Sequence, residues 1–379
     1  MKPIRLTLLC SALALGSALP ALAEIRIGVL IPDSGPAGLF GPSSRQAAML
    51  AAEDINEAGG INGEPITLVF GDVGVPPAQA VQTAQRMWRG EGVQGFVGMH
   101  DSAVRAALIG QFRAQVPYVY SGVYEGAECA PGTWLTAETP AQQLAPTIPW
   151  LAENEGASAW YLIGNDYNWP RDTNAAARPI IEASGGEVVG EEYVPLGTAD
   201  FDASLQRIRA SGADAVLVTL VGGDSVAFNI GFGAFGLDEQ ALRLGTLIEE
   251  NTLAGIGAAG ASRLFAAMGF FESIETEAAQ SFAARHTATF GADAAQLNGM
   301  GQSVYDGLML LAALGNAAGS MEVAAIDAVA DGTGFSSPRG DAVLDGNHVN
   351  QTVYLADGSG GGFSVVAGFT NVGHGVSCD

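Results

Sequence analysis

Lysine is nearly missing: Lys2 is the single example in 379 residues, and histidine occurs only at His100, His286, His348 and His374. A chain with no ammonium side chain beyond its second residue cannot run Schiff-base or pyridoxal-phosphate chemistry, nor fill the lysine position of a P-loop. Four scattered imidazoles argue against a histidine-rich metal centre. Positive charge is scarce altogether, with 16 Lys+Arg against 40 Asp+Glu and a formal net charge of −24. Such a surface repels nucleic acid and anionic lipid. There are three cysteines and no Cys-x-x-Cys, His-Glu-x-x-His or Gly-x-Ser-x-Gly pattern, so the usual zinc, protease and hydrolase signatures are lacking. No cofactor is indicated.

What is present is apolar enough, at 48% hydrophobic residues, to bury a large core in two or three domains. Residues 1–23 combine Met-Lys-Pro-Ile-Arg, an apolar stretch from Leu6 to Leu19 and the small-x-small run Ala21-Leu22-Ala23, which is the pattern of a cleaved export leader. An uncleaved anchor is the other reading, against which Ser11, Ser17 and Pro20 interrupt the run. Cys10 is too near the start for a lipid-attachment site. Losing Lys2 and Arg5 with the leader moves the net charge from −24 to −26. No later segment is apolar for long enough to span a bilayer. Cys129 and Cys378 then remain in an oxidising compartment, either bridged or as two buried thiols.

From Glu24 onward short β-rich runs alternate with amphipathic stretches. Glu24–Pro32, Ile66–Phe70, Gly95–Met99 and Pro117–Tyr120 read as strands, separated by helices over Ser43–Ala58, Ala78–Trp88 and Ser102–Phe112. After a Pro- and Thr-rich passage at Pro131–Pro140 the alternation restarts. Strands are predicted at Ala159–Ile163, Glu187–Val194, Ala215–Leu220 and Leu244–Leu247, with helices at Thr173–Ala183, Phe201–Ala210 and Val226–Phe235. Thr198 or Asp200 can cap the helix at Phe201. A helical pair, Thr276–Phe290 and Ser303–Ala317, precedes β-hairpins over Pro338–Phe369, with turns at Asp345-Gly346-Asn347 and Asp357–Gly362. The alternation requires parallel sheets covered on both faces, here an α/β chain with two doubly wound lobes.

Two stretches, Gly231–Gly236 and Gly255–Gly260, match Gly-x-Gly-x-x-Gly, but with 52 glycines about one such match arises by chance, and neither follows the first strand. They read as helix ends. Glu249-Glu250 could do acid–base work only singly, since neighbours on a strand face opposite ways. More telling is the gathering of polar and aromatic residues at predicted strand ends, where parallel sheets bind ligands. These are His100-Asp101-Ser102, Ser121-Gly122-Val123-Tyr124-Glu125, Asn165-Asp166-Tyr167-Asn168-Trp169, Gly222-Gly223-Asp224-Ser225 and Glu249-Glu250-Asn251. Together they suit a small polar solute. For any one of them, helix capping or packing explains its presence as well as ligand contact does.

The exported double lobe resembles the type I periplasmic solute-binding proteins of ABC importers, in the branched-chain amino acid group. Within it, Tyr124-Glu125-Gly126-Ala127-Glu128-Cys129, Asn165–Arg171 and Gly190–Phe201 are similar to the urea and short-chain amide binders, and the aliphatic amidase regulator shares the Asp-Tyr-x-x-Pro-Arg pattern. The likeness runs from about Ile27 to the C-terminal hairpins. It implies a periplasmic location, permease membrane subunits as partners and a multi-crossover hinge. The N-terminal lobe would hold residues 24–135 and 274–335, the C-terminal lobe 136–273 and 336–379. It also implies that Ser102 and the adjacent helix start hold one polar end of the solute, beside Ser121 and Gly122, with His100, Asp101 and Tyr124 nearby. Tyr167 would close from the second lobe near Gly222 or Gly223, and Glu250 would accept N–H bonds. The chain departs from the amide binders where Ser121-Gly122-Val123 replaces their Tyr-Pro segment, and at His100-Asp101. The implied function is non-enzymatic delivery of urea or a short amide to an importer. The alternatives are an amino acid as the solute, or a sensor serving a membrane receptor.

Overall fold

The computed structural model of the protein describes residues 24–378; the leader read at residues 1–23 lies outside them. The strands are β1 (Ile25–Ile31), β2 (Ile66–Asp72), β3 (Gly95–Gly98), β4 (Tyr118–Tyr120), β5 (Thr133–Leu135), β6 (Ala159–Asn165), β7 (Glu187–Val194), β8 (Ala215–Thr219), β9 (Leu242–Gly245), β10 (Leu264–Met268), β11 (Gly334–Phe335), β12 (Ala342–Asp345), β13 (His348–Asp357) and β14 (Ser364–Val372). The helices are α1 (Gly41–Glu57), α2 (Pro77–Gln85), α3 (Ser102–Phe112), α4 (Pro140–Glu155), α5 (Asn168–Ala183), α6 (Asp202–Ser211), α7 (Gly222–Ala234), α8 (Glu250–Ile256), α9 (Glu277–Phe290), α10 (Gly299–Ala318) and α11 (Val323–Asp327).

Two parallel runs of strands, β2-β1-β3-β4-β5 and β7-β6-β8-β9-β10, form the two lobes, and β13 connects them. His348 at its start pairs in parallel with Leu135, while Tyr354–Asp357 at its end run antiparallel to Phe265–Met268. β12 pairs with the first residues of β13, Val343 opposite Asn350 and Asp345 opposite His348, on the first-lobe side. The 336–379 segment is therefore shared between the lobes rather than belonging wholly to the second, because a single long strand is edge partner to both sheets.

Burial on both faces explains why the strands read as continuous apolar runs; all five residues of β8 are buried. In β1, Ile27, Val29 and Ile31 pack with Ala47, Leu50 and Leu311 of α1 and α10, whereas Leu30 joins the opposite cluster with Ala84, Val104 and Leu108 of α2 and α3. The second lobe repeats the plan. Leu162 and Leu217 meet Leu144, Ile148 and Ile181 of α4 and α5. Ile163, Val216 and Val218 face the side of α6 and α7 that carries Leu205, Phe228 and Phe232.

Several elements went unread in the sequence. α4 starts at a capping box, with Thr139 Oγ1 accepting from Gln142 N–H and the Gln142 side chain accepting from Thr139 N–H, and tolerates Pro146 and Pro149 inside it. β5, β10, β11 and the short α8 and α11 are others. Asp200 accepts the Asp202 N–H at the start of α6, while Thr198 Oγ1 turns back to Pro195 O. The glycine-rich matches fall at helix ends: Gly236 adopts φ +66° after α7 and Gly257 φ +71° after α8.

The chain crosses between lobes at Thr136–Thr139, again after Met268, and along β13. Arg339, 4% exposed, binds these crossings together. Its guanidinium donates to Glu138 Oε1 at 2.6 Å and to Gln351 Oε1 at 2.9 Å, and its Nε lies 2.9 Å from Asp306 Oδ2. Glu138 Oε1 also accepts the Gly269 N–H at 2.8 Å. Cys129 and Cys378 form a disulfide with Cα atoms 5.6 Å apart, fastening the C-terminal tail to the loop after β4.

Candidate site between the lobes

Residues that follow β1, β2, β3, β6 and β8 meet in the gap between the lobes and enclose a cavity of about 310 Å³, with Pro36, Val75, His100, Asp101, Tyr167 and Val221 in its wall. It continues into an inner space of about 40 Å³ whose lining is mostly apolar: Phe40, Met99, Val123, Trp169, Leu247 and Met300, together with Ser102. The lobes touch around it. Asn168 Nδ2 of the second lobe donates to Glu125 Oε1 of the first at 2.7 Å, and Asn251 Nδ2 donates to Leu39 O at 3.1 Å.

His100 is buried between the Asp101 carbonyl, 3.1 Å from Nδ1, and the Tyr118 hydroxyl, 2.9 Å from Nε2. Burial pushes its pKa down to about 3, so it is neutral and fixes the backbone at the start of α3. Asp101 is the N-cap of α3, its Oδ1 accepting the Val104 N–H at 2.9 Å, and burial raises its pKa above the usual carboxylate range. Ser102 is committed internally. Its hydroxyl donates to Glu125 Oε2 and accepts from Arg105 Nη1 at 3.2 Å, while Arg105 pairs with Glu125 at 2.7 Å and Glu128 at 3.3 Å. Arg105 lies over the rings of Tyr120 and Tyr124.

Of the residues singled out in the sequence, His100, Asp101, Ser102 and Tyr167 line this cavity. The others take different positions. Ser121 is fully buried, its hydroxyl 3.4 Å from Gly98 O, and packs beneath Gly307 of α10. Gly122 sits against Tyr120 and the His100 carbonyl. Tyr124 points to His348, bonding its Nε2, and is fully buried. Gly222 opens α7 with φ +49°, where a Cβ would come within 2.1 Å of Pro36 O in the other lobe; Gly223 faces open space. Glu250 Oε1 accepts the Glu272 N–H at 2.7 Å and the side chain lines a separate cavity with Gln296 and Phe363. Sequence reasoning missed the apolar wall, Phe40, Met99, Val221, Leu247 and Met300 above all. Val123 and Trp169 stood in the quoted strand-end runs, and their hydrophobicity was the available signal.

Among the described residues no cluster of His, Cys, Asp and Glu could hold a metal ion, and no helix is long and apolar enough to cross a membrane. An interlobe cavity on two parallel sheets sharing a crossover strand is the design of a solute trap. The family model for periplasmic binding proteins matches residues 24–362. The chain belongs to the periplasmic binding protein family. It binds a solute rather than transforming one.

A Leu/Ile/Val-binding protein homolog 6 of Brucella melitensis is 27% identical over 370 residues, covering 94% of this chain and 93% of the relative. A Leu/Ile/Val-binding protein homolog 7 of Brucella suis is 31% identical over 230 residues, so the match spans only 57% of that relative's length. Among solved structures, an ABC transporter solute-binding protein of Rhodopseudomonas palustris in complex with p-hydroxybenzoic acid superposes with a TM-score of 0.84 at 26% identity, covering 93% of this chain and 99% of that one. A branched-chain amino acid binding protein of Streptococcus pneumoniae holding isoleucine shares the fold, with a TM-score of 0.78 at 22% identity, covering 92% and 99%. The resemblance to urea and short-amide binders finds no support among these proteins, whose names and ligands are of branched-chain amino acids and aromatic acids.

Proposed function

We propose that this protein is the periplasmic solute-binding component of an ABC importer of the branched-chain amino acid type, and that its solute is a small carboxylate with an apolar body, foremost an apolar amino acid. The observation that carries this reading is the composition of the inner cavity: Phe40, Met99, Val123, Leu247 and Met300 surround the space reached past Asp101 and Tyr167. A urea or acetamide molecule has polar atoms on almost every side, and such walls would strip its water without replacing the hydrogen bonds. An aliphatic side chain fits them, and Asp101 offers an acceptor for an ammonium group. Export and the contact with permease subunits follow from the same reading.

An aromatic acid is the second reading. It is favoured by the rings of Tyr167 and Trp169, 6.2 Å apart at the mouth of the inner space, and by the hydroxybenzoate-bound neighbour. In either case the solute binds the two closed walls better than one open wall and shifts the population toward closure. Titration calorimetry with leucine, isoleucine, valine, benzoate, 4-hydroxybenzoate, urea and acetamide tests this. Binding of one of the carboxylates with no heat from urea or acetamide is expected. Binding of urea or acetamide alone would overturn the reading.

A further inference from the structure

We infer that the disulfide Cys129–Cys378 is a releasable clasp between the lobes: exchange with a dithiol frees the tail after His374 from the first lobe without unfolding the chain, and lowers the affinity for the solute. Both cysteines are exposed, and both line a cavity of about 480 Å³ together with Thr133, Asp327, Asn347 and His374, so a small thiol reaches the bond in the folded protein. The base of the tail is fixed on second-lobe and hinge elements. Thr139 Oγ1 donates to His374 O at 2.8 Å, the His374 N–H donates to Asn350 Oδ1 at 3.1 Å, and the His374 ring stacks on His348 with centroids 4.8 Å apart. Gly375 then turns with φ +69° against Ala141 in the first turn of α4. Past that point the one bonded backbone N–H among the described residues is that of Val376, and its acceptor is His374 Nδ1, inside the tail itself. Apart from Val376 lying beside Gly126, what holds residues 376–378 to the first lobe is the S–S bond.

In the exchange a thiolate of the dithiol attacks one sulfur, and the S–S electron pair leaves with the other as a cysteine thiolate. The second thiolate of the reagent then displaces the remaining cysteine, so the protein gains two thiols as the dithiol closes to a cyclic disulfide. The chain itself runs between the lobes at three crossings. The tail, based on α4 of the second lobe and bonded to the loop before β5 of the first, adds a fourth covalent link. Such a link limits how far the lobes open; without it the open ensemble gains conformations, the closed fraction falls and the apparent affinity falls with it. The same loop carries Glu125 and Glu128, which both pair with Arg105, and Glu125 Oε1 accepts the side-chain amide of Asn168 from the second lobe at 2.7 Å. Loosening the loop at Cys129 slackens that rim contact. The effect on affinity rests on the reading of the solute above, whereas release of the tail does not.

The experiment treats the chain from Glu24 with dithiothreitol in native buffer, alkylates it with iodoacetamide and counts labelled cysteines by mass spectrometry. Calorimetry with leucine and with 4-hydroxybenzoate, and small-angle scattering without solute, are then run on the oxidised form, the alkylated form and the double variant Cys129→Ser, Cys378→Ser. Both cysteines are expected to label while the chain still unfolds in one cooperative transition. The alkylated and double-serine forms should bind about threefold or more weakly than the oxidised form and show a larger radius of gyration, and dithiothreitol should leave the double-serine form unchanged. Labelling that needs denaturant, or loss of the fold on reduction, overturns the inference and makes the bond a structural staple. Equal affinity of the oxidised and reduced forms overturns it and leaves the importer reading standing. No binding of either solute to the oxidised form overturns the reading of the solute, and the radius of gyration then decides: if reduction leaves it unchanged, the clasp fails as well.

Discussion

Gly222 brings the backbone at the start of α7 directly against Pro36 of the other lobe. Its φ of +49° lies in the left-handed region, and a Cβ there would stand 2.1 Å from the Pro36 carbonyl oxygen across the gap. Gly222→Ala is expected to weaken solute binding about tenfold or more by holding the lobes apart, with a stability loss of only about 1–2 kcal/mol from the strained backbone. Calorimetry beside small-angle scattering checks this; wild-type affinity would show that the Pro36 contact is not part of the bound state. Glu249 makes a different kind of statement. Burial raises its pKa to about 7 from 4.5, against the opposing pull of the Asn251 and Thr252 N–H groups that it caps. An acid whose folded pKa is raised contributes its full stability below the unfolded pKa and loses it as pH climbs through the folded value. Wild type measured against Glu249→Gln in urea unfolding should therefore lose stability between pH 5 and pH 7, by up to about 1.4 kcal/mol per unit. A difference independent of pH would show that the carboxyl is already ionised at pH 5.

At the scale of elements, legibility followed exposure of the pattern. The helices α1, α9 and α10 and the strands β1 and β8 were readable because their apolar periodicity or continuous apolar runs reflect burial against a sheet or between helices. α4 was not, although Thr139-Pro140-Ala141-Gln142 spells a capping box with proline in the first turn; the prolines at Pro146 and Pro149 masked a helix that the capping start and packing on α5 sustain. Asking which residues follow strands leads to His100, Asp101, Ser102 and Tyr167, which line the interlobe cavity. The same rule leads to Ser121, Tyr124 and Glu250, whose side chains lie outside that cavity, since a strand end says where a backbone points and not which face its side chains take. Phe40 enters from just before α1 and Met300 from the first turn of α10, where no strand rule reaches. The tail supplies a test at this scale. The disulfide Cys129–Cys378 closes a span of 249 residues. Replacing both cysteines by serine is expected to cost about 2–4 kcal/mol, largely by freeing the unfolded chain. Guanidinium unfolding checks it; an unchanged midpoint would mean the tail is held equally well by its contacts with Thr139 and Asn350.

For the whole molecule the question is how two lobes can move while the crossings between them stay intact. Opening must break the hydrogen bonds from Asn168 to Glu125 and from Asn251 to Leu39, besides the approach of Gly222 to Pro36 and the apolar wall shared by the lobes. The hinge is built in the opposite manner. Arg339, Glu138 and Asp306 are each buried almost completely, and the arginine reaches Glu138 on the first crossing, Gln351 on the third and Asp306 on α10, while Glu138 also takes the Gly269 N–H of the second. Desolvating three charges is expensive, and their mutual attraction together with the surrounding hydrogen bonds offsets that cost only while all three remain. Arg339→Met strands two carboxylates in a dry hinge and should lower unfolding free energy by about 3–5 kcal/mol. The triple change Arg339→Met, Glu138→Gln, Asp306→Asn removes the charges together and should recover most of that loss. Urea unfolding of the three proteins measures both steps. If Arg339→Met alone stays within about 1 kcal/mol of wild type, the charges are not what holds the crossings, and the rigidity of the hinge must come from its backbone pairing along β13 instead.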